Sequence, residues 1–391
     1  MSISISVYSN FLNAHQLPVA LELSGDPDID YSFIALKHID GAAGRSCLNE
    51  DYPFVVRPYL NDTDAAIAME HALKDDIAVF GDMAGDESYV RARAKTGKPF
   101  FRYAERILKR GDWWRFAPPK IARTHSRFTR YRRSNMLMLC TGAYACRDLC
   151  LSGFPEDKCF KWGYFPVFDE KDSRPALPSE SEHPILFSAQ RLISWKHVDL
   201  QIELARKLKD AGVSFALKIA GDGPMRSDIE RAIRDFGLTD EVELLGMLTP
   251  ERVSELMCSS AVFIATSDRN EGWGATINEA MACGCCVVAS DAMGSVPWLV
   301  DDRKTGLCFS SGSSDSLFQS VTAALGDDGL RARCGESAKK IVTEGLWSSR
   351  TAAERLVDFS RKWLDSGDAD LITPYSSGPL SRCSSDTSLH F

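Results

Sequence analysis

The chain has 391 residues, 44% of them apolar, and a formal net charge of −8. At roughly 100–200 residues per domain, that length suggests two domains with ample material for two cores. The acidic balance gives no reason to expect general nucleic-acid binding, and no apolar run reaches the roughly 18 residues of a membrane-spanning helix.

The start, Met1 to Tyr8, lacks the basic and apolar regions of a signal peptide, so the expected location is the cytoplasm. Ile3 to Tyr8 reads as a first strand, and Leu17 to Leu23 as its helix, with Pro18 tolerated in the first turn. Ile77 to Phe80, Pro99 to Tyr103 and Met136 to Cys140 read as later strands. Phe168 to His183 is rich in Pro, Ser and charge and is the expected interdomain linker.

The second half alternates more clearly. Strand-like runs at Ile185–Ala189, Phe215–Ala220, Val242–Leu245, Val262–Ala265 and Cys285–Ala289 are separated by helical patterns at Val198–Ala211, Met225–Phe236, Pro250–Met257 and Ala275–Ala282. Short buried strands alternating with helices indicate parallel βαβ units. The reading is α/β, with two doubly wound, Rossmann-like domains facing a cleft at residues 1–170 and 181–345. An amphipathic helix at 346–366 follows, and then a Ser-, Gly- and Asp-rich tail at 367–391 that is expected to be disordered. Ligands in such sheets bind outside the carboxyl ends of the strands.

Twelve cysteines are present. Several lie inside apolar runs, where Cys acts as a small hydrophobe. The cluster Cys283, Cys285 and Cys286 has neither a CxxC pair nor a nearby His, and Cys146, Cys150 and Cys159 make no better metal pattern. All are expected to be reduced structural thiols, with no metal site.

The sharpest motif runs from Asn270 through Glu271, Gly272, Trp273, Gly274, Ala275 and Glu279 to Gly284. It follows a strand and opens a helix. Gly272 and Gly274 let the backbone turn tightly, and the free amides of the helix start favour phosphate or another electron-rich oxygen. Carboxylates beside a phosphate suit sugar or ribose hydroxyls instead, which assigns that role to Glu271 and Glu279. Arg191 and Lys196, in the loop after Ile185–Ala189, are placed to neutralise a diphosphate.

The Glu271-x7-Glu279 spacing within EGWGATINEAMACG resembles the E-x7-E signature of the retaining glycosyltransferases of family 4. The likeness extends over SAQRLISWKHVDLQIELARKL, KIAGDGP, VELLGML and VVASDAMGSVPWLVDDRKTGLCF. It implies a GT-B fold whose last helix crosses back to the first domain. It also implies a nucleotide-sugar donor held in the C-terminal domain and an acceptor side in the N-terminal one. In that family the residue matching Glu279 binds the ribose, and the one matching Glu271 contacts the transferred sugar. Those matching Arg191 and Lys196 hold the diphosphate, and amides near Trp273, Gly274 and Ala275 contact donor oxygens. No cofactor or metal is implied, since protein cations and the helix terminus stabilise the leaving group. Three departures stand out: Cys285 replaces a common Pro, Met293–Pro297 replaces a Gly-Gly-x-x-Glu loop, and Asn10–His15 replaces an N-terminal Gly-rich loop.

On the acceptor side the candidates are His15, between the first strand and its helix, and Glu105, after Pro99–Tyr103. From Arg91 to Arg133 fifteen Lys and Arg face only Glu105 and Asp112, interleaved with Trp113, Trp114, Phe116, Phe128 and Tyr131. That mixture suits an anionic membrane surface or a phosphorylated lipid acceptor, and equally a solvated basic face. No nucleic-acid module accompanies it. The function these residues and the resemblance imply is transfer of a hexose-type sugar from a nucleotide-diphosphate-sugar to a saccharide or lipid-linked saccharide. The resemblance implies surface polysaccharide or glycolipid synthesis as the expected setting, in the cytoplasm or at a peripheral position on the inner face of the membrane. The alternatives are another GT-B-like sugar enzyme, a phosphorylase or a sugar-nucleotide epimerase, or a degenerate partner subunit.

Overall fold

A computed structural model describes residues 2–38, 52–81, 83, 86–167, 183–368, 372 and 375–386. The chain divides into two units, one of residues 1–167 with 346–389, the other chiefly residues 168–345. Most of the linker expected at 168–183 lies outside the described residues.

The first unit is built on a seven-stranded parallel sheet. Its elements are β1 (Ile3–Ser9), α1 (Leu17–Gly25), β2 (Ile29–Ala35), β3 (Val55–Val56), α2 (Asp62–Lys74), β4 (Ile77–Phe80), α3 (Ser88–Thr96), β5 (Phe100–Ala104), α4 (Pro118–Arg127), β6 (Met136–Thr141), α5 (Ala145–Leu151) and β7 (Cys159–Trp162). The strand order is β3-β2-β1-β4-β5-β6-β7. Every residue of β4 and β6 is buried, as a parallel sheet covered on both faces requires.

The second unit carries β8 (Ile185–Ala189), α6 (Val198–Asp210), β9 (Ala216–Ala220), α7 (Arg226–Asp235), β10 (Val242–Gly246), α8 (Pro250–Ser259), β11 (Val262–Ala265), α9 (Ala275–Ala282), β12 (Cys286–Ser290), α10 (Val296–Leu299), β13 (Leu307–Phe309), α11 (Ser314–Leu325) and α12 (Asp328–Thr343). Its six strands run in the order β10-β9-β8-β11-β12-β13. In each sheet the order reverses beside the first strand, between β1 and β4 and between β8 and β11. Such a switch point opens a crevice at the carboxyl ends of the strands.

The last helix, α13 (Ser349–Ser366), belongs to the first unit. Phe359 and Trp363 on its buried face pack on Phe101 at ring separations of 5.9 and 5.3 Å, and Phe359 reaches Phe160 of β7 at 5.0 Å. The crossing-back helix is therefore anchored by aromatic packing on β5 and β7.

The tail differs from its expected disorder over residues 375–386. Arg382 bridges Phe160 in antiparallel fashion. The Lys161 amide donates to Ser381 at 2.8 Å and the Cys383 amide to Cys159 at 3.0 Å. Leu380 is fully buried. The physical reason is the edge of the sheet: β7 would otherwise expose a row of unpaired backbone groups, and the tail satisfies them. A Ser- and Gly-rich composition hides that role.

Candidate active site

At the switch point of the second unit, the loop after β8 meets the loop after β11. Thr266 Oγ1 donates to the Lys196 carbonyl at 2.7 Å, and the Asp268 amide donates to the Trp195 carbonyl at 3.0 Å. Gln201, fully buried on α6, donates from Nε2 to Ser188 Oγ and to Thr266 Oγ1, both at 3.0 Å. His197 takes a left-handed conformation at φ 51°, and its Nε2 lies 3.3 Å from Asp268 Oδ2. These contacts join the two loops to each other and to α6.

Lys196 and Glu271 come together in this frame. Lys196 Nζ is ion-paired with Glu271 Oε2, and Ser267 Oγ donates to the same carboxylate oxygen at 3.1 Å. Arg191 is exposed in the first loop, with its guanidinium 5.8 Å from the Trp195 ring. Positive charge and a hydroxyl-accepting carboxylate thus sit side by side.

The Gly-rich turn opens α9. Gly274 has φ 92°, which favours glycine, and a Cβ there would lie 2.5 Å from Met293 Cε. Gly272 is buried and Ala275 begins the helix. Trp273 is wholly buried, so only its backbone can face a ligand. Its indole Nε1 donates to Asn278 Oδ1 at 2.7 Å, and its carbonyl accepts from the Ser295 amide at 3.1 Å. The Met293–Pro297 segment therefore braces this turn. Glu279 lies in the second turn of α9, and burial raises its carboxyl from the ordinary 4.5 to about 7.

The Gly221–Gly223 loop packs against the loop after β8. The Gln190 amide donates to Ala220 at 3.0 Å and the Leu192 amide to Asp222 at 3.0 Å. A Cβ on Gly221, at φ +127°, would stand 1.9 Å from the Gln190 carbonyl oxygen, and one on Gly223 would stand 2.4 Å from that of Leu192. Both glycines permit the close approach of two loops.

In the first unit, Tyr164 joins the two acceptor-side candidates. Its ring stacks on His15 at 5.7 Å and 17°, and its hydroxyl donates to Glu105 Oε1 at 3.0 Å. Burial lowers the His15 imidazole from 6.5 to about 4, so the ring is neutral at pH 7. His15 and Tyr164 line a small cavity of about 50 Å³. Glu105 and Tyr164 line a larger one of about 590 Å³, together with Arg106, Lys109, Arg110, Lys120, Arg123 and Arg127.

The basic stretch is therefore not one solvated face. Arg93 and Arg102 are core residues: Arg93 donates to the Asp75, Asp76 and Pro99 carbonyls at 2.6 Å, and Arg102 grips Glu87 through two 2.6 Å bonds. Six other cations turn toward the cavity, and burial is the first cause of a lowered pKa at Lys120 among them. Trp113 and Phe116, in the turn that precedes α4, and Ile121, within α4, are 63%, 67% and 53% exposed.

Sequence spacing singled out Arg191, Lys196, Glu271 and Glu279, of which the structure pairs Lys196 with Glu271, but it gave no sign of the residues around them. Gln201, Thr266, His197 and Asp268 act across loops, and Tyr164 acts across two strands' ends. None carries a local pattern.

Comparison with known proteins agrees with this architecture. Residues 169–341 match the family described as Glycosyl transferases group 1. Alpha-D-kanosaminyltransferase of Streptomyces kanamyceticus is 30% identical over 181 residues, 46% of this chain and 46% of that protein. Sulfoquinovosyl transferase SQD2 of Arabidopsis thaliana is 27% identical over 198 residues, 50% of this chain and 37% of that protein. The chain thus spans less than half the length of these curated relatives. Among solved structures, a glycosyltransferase from Rickettsia africae ESF-5 superposes with a TM-score of 0.67 at 17% identity, covering 93% of this chain and 99% of that one. Anabaena Alr3699/HepE in complex with UDP gives 0.67 at 16% identity, covering 93% and 100%. The fold is that of the GT-B glycosyltransferases.

Proposed function

We propose that the protein is a retaining glycosyltransferase of family 4 that moves a hexose from a nucleotide-diphosphate-sugar to a saccharide or lipid-linked saccharide. The observation that carries this reading is the meeting of Lys196 and Glu271 at the β8–β11 switch point, beside the amino terminus of α9. A diphosphate there finds Lys196, Arg191 and the amides of Gly274 and Ala275. The sugar hydroxyls find Glu271, and the ribose hydroxyls find Glu279.

In the transfer, the bond from the anomeric carbon to the diphosphate oxygen breaks as the acceptor hydroxyl attacks from the same face. The acceptor proton passes to a donor phosphate oxygen. Lys196 and Arg191 stabilise the charge that develops on the diphosphate, and the preorganised helix terminus adds to them. These groups supply the positive charge from the protein itself, and activity is expected to survive a chelator.

The acceptor side belongs to the first unit. His15, neutral at pH 7, and Glu105, held by Tyr164, orient acceptor hydroxyls. The six cations of the larger cavity suit an acceptor carrying phosphate. The exposed Trp113, Phe116 and Ile121 beside them suit a peripheral position on an anionic membrane, in polysaccharide or glycolipid assembly. UDP-bound Anabaena HepE supports a uridine donor as the first choice to try.

A thermal-shift screen against UDP-, GDP-, ADP- and dTDP-sugars, with and without a chelator, tests the proposal. A ligand at about 100 times its dissociation constant stabilises a fold by about 2.7 kcal/mol. The expected result is a shift with one nucleotide class that disappears in Lys196→Ala. No shift with any donor overturns the donor site.

A further inference from the structure

Five cysteines that are scattered along the chain converge at one place in the first unit. Cys140 is the penultimate residue of the wholly buried β6, Cys146 and Cys150 lie on α5, Cys159 begins β7, and Cys383 comes from the tail. Three local geometries bring them together. Cys146 and Cys150 are four residues apart on a helix and so share a face; their sulfurs are 3.9 Å apart. Met138 pairs with Cys159 across β6 and β7. Cys140, two residues beyond Met138, therefore projects from the same face as Cys159. The Cys383 amide is bonded to the Cys159 carbonyl, which seats the tail over this corner.

The sulfurs of Cys146, Cys150 and Cys159 all lie within 4.8 Å of one another. The Cys140 thiol lies against those of Cys146, Cys159 and Cys383. A tetrahedral zinc with zinc–sulfur bonds of about 2.3 Å needs its sulfurs about 3.8 Å apart, a spacing that the Cys146, Cys150 and Cys159 thiols approach, with Cys140 on the same face of the sheet as the candidate fourth ligand. Hydrophobic packing does not require five thiols in one corner, since each thiol fills less space than the Met, Leu and Phe side chains of β5 and β6 beside it.

We propose that Cys140, Cys146, Cys150 and Cys159 form a structural site for a soft divalent metal, zinc by class, that locks α5 and the β6–β7 edge and thereby seats the C-terminal tail. Binding converts four thiols to thiolates and releases their protons to solvent. Cys150 is only half-buried, which leaves the metal an entry path. Cys383 lies against Cys140 and Cys146, beside the proposed ligands, where outer groups orient a metal site. The site is separate from the donor loops, which lie in the other unit, and its role is structural rather than catalytic.

The test is made on the full chain, purified under reducing conditions. Elemental analysis is expected to give one zinc per chain, which thiol modification of the unfolded protein releases. Replacement by cobalt is expected to produce the sulfur-to-cobalt charge-transfer and d–d bands of a tetrahedral thiolate site. Cys150→Ser should lose the metal, whereas Cys308→Ser, a half-buried thiol of the second unit, should keep it. Chelation should speed hydrogen exchange at residues 380–383. The wild-type cobalt spectrum decides even if Cys150→Ser fails to fold. The proposal is overturned if the wild-type chain carries no zinc and gives no cobalt bands. It is equally overturned if intact mass shows a disulfide among these cysteines, or if the purified protein carries an iron–sulfur chromophore.

Discussion

Lys196 and Glu271, 75 residues apart in the chain, are joined as an ion pair whose side chains are each only 14% exposed. In the proposed donor site the pair places a cation for the diphosphate next to a carboxylate for the sugar hydroxyls. It also ties the loop after β8 to the loop after β11, so each residue has a structural as well as a chemical effect. Lys196→Ala and Glu271→Gln should each lower kcat by about 100- to 1000-fold and cost about 1–2 kcal/mol of stability through the partner left unpaired. A double variant, Lys196→Met with Glu271→Gln, should recover stability relative to either single change while remaining inactive. Equal stability losses that simply add in the double variant would refute the pairing.

Glu279 gives the second half of the motif a pH dependence. Burial raises its pKa in the folded protein to about 7, above the ordinary 4.5 of an unfolded chain. The folded state therefore binds the proton more tightly. The associated stability is fully present below about pH 4.5 and is lost as pH rises through about 7. Glu279→Gln should remove that slope, stabilising the protein at pH 8 by on the order of 1–2 kcal/mol relative to wild type. Donor affinity should move the other way, because ribose hydroxyls need the ionised carboxylate: wild-type affinity should weaken as pH falls from 8 to 6. Melting temperatures and donor titrations across pH 5–8 on both proteins check the two signs.

The legible parts of the molecule are those where chemistry is local. Ile185–Ala189, Val262–Ala265 and Ala275–Ala282 stand out as uninterrupted apolar or helical patterns, and the structure has strands and a helix with those limits. β2 escapes notice because Asp30 and Ser32 break its apolar run on the more exposed face. α11 and α12 are masked by Ser and Asp at their starts and by Gly329 and Gly335 within the latter. The positions of Arg191, Lys196, Glu271 and Glu279 follow from strand–loop–helix order, whereas Gln201, Asp268 and Tyr164 acquire their roles only when distant loops meet. The five-cysteine corner is the extreme case, since strand register and a returning tail create it.

Gly221 tests whether the second loop is supported as tightly as its geometry indicates. A Cβ there would stand 1.9 Å from a backbone oxygen of Gln190, at a φ of +127°. The clash is with backbone, so no side-chain rotation relieves it. Gly221→Ala should destabilise the second unit by about 2–4 kcal/mol and displace the 190–196 loop, weakening nucleotide-sugar binding at least tenfold without altering any charge. Gly212→Ala is the control, because Gly212 also has positive φ but open space around its Cβ; it should cost about 1 kcal/mol and leave donor affinity unchanged.

A Tyr164 variant tests the proposed acceptor role of the first unit independently of the proposed donor site. Its hydroxyl holds Glu105 and its ring covers His15. Tyr164→Phe keeps the stacking and removes one hydrogen bond to a carboxylate, an interaction of about 1.5–3 kcal/mol. Acceptor KM should rise about tenfold while the dissociation constant for the donor stays the same. A variant that binds donor less well, with acceptor KM unmoved, would remove Tyr164 from the acceptor side.

The exposed Trp113 and Phe116 decide whether the basic segment serves a membrane. Anionic lipid attracts each nearby cation by about 1 kcal/mol, screened by salt, and aromatic side chains then insert at the interface. The protein should co-sediment with vesicles containing phosphatidylglycerol at low salt, less so at 0.5 M salt, and not with purely zwitterionic vesicles. Trp113→Ser with Phe116→Ser should cut binding by about tenfold and leave donor thermal shifts intact, since neither residue belongs to the second unit. Binding that ignores both lipid charge and salt would reduce this surface to a solvated basic face. Activity on a water-soluble acceptor should then be unchanged by the double substitution, whereas activity on a vesicle-embedded phosphorylated acceptor should fall with membrane binding if the surface works as proposed.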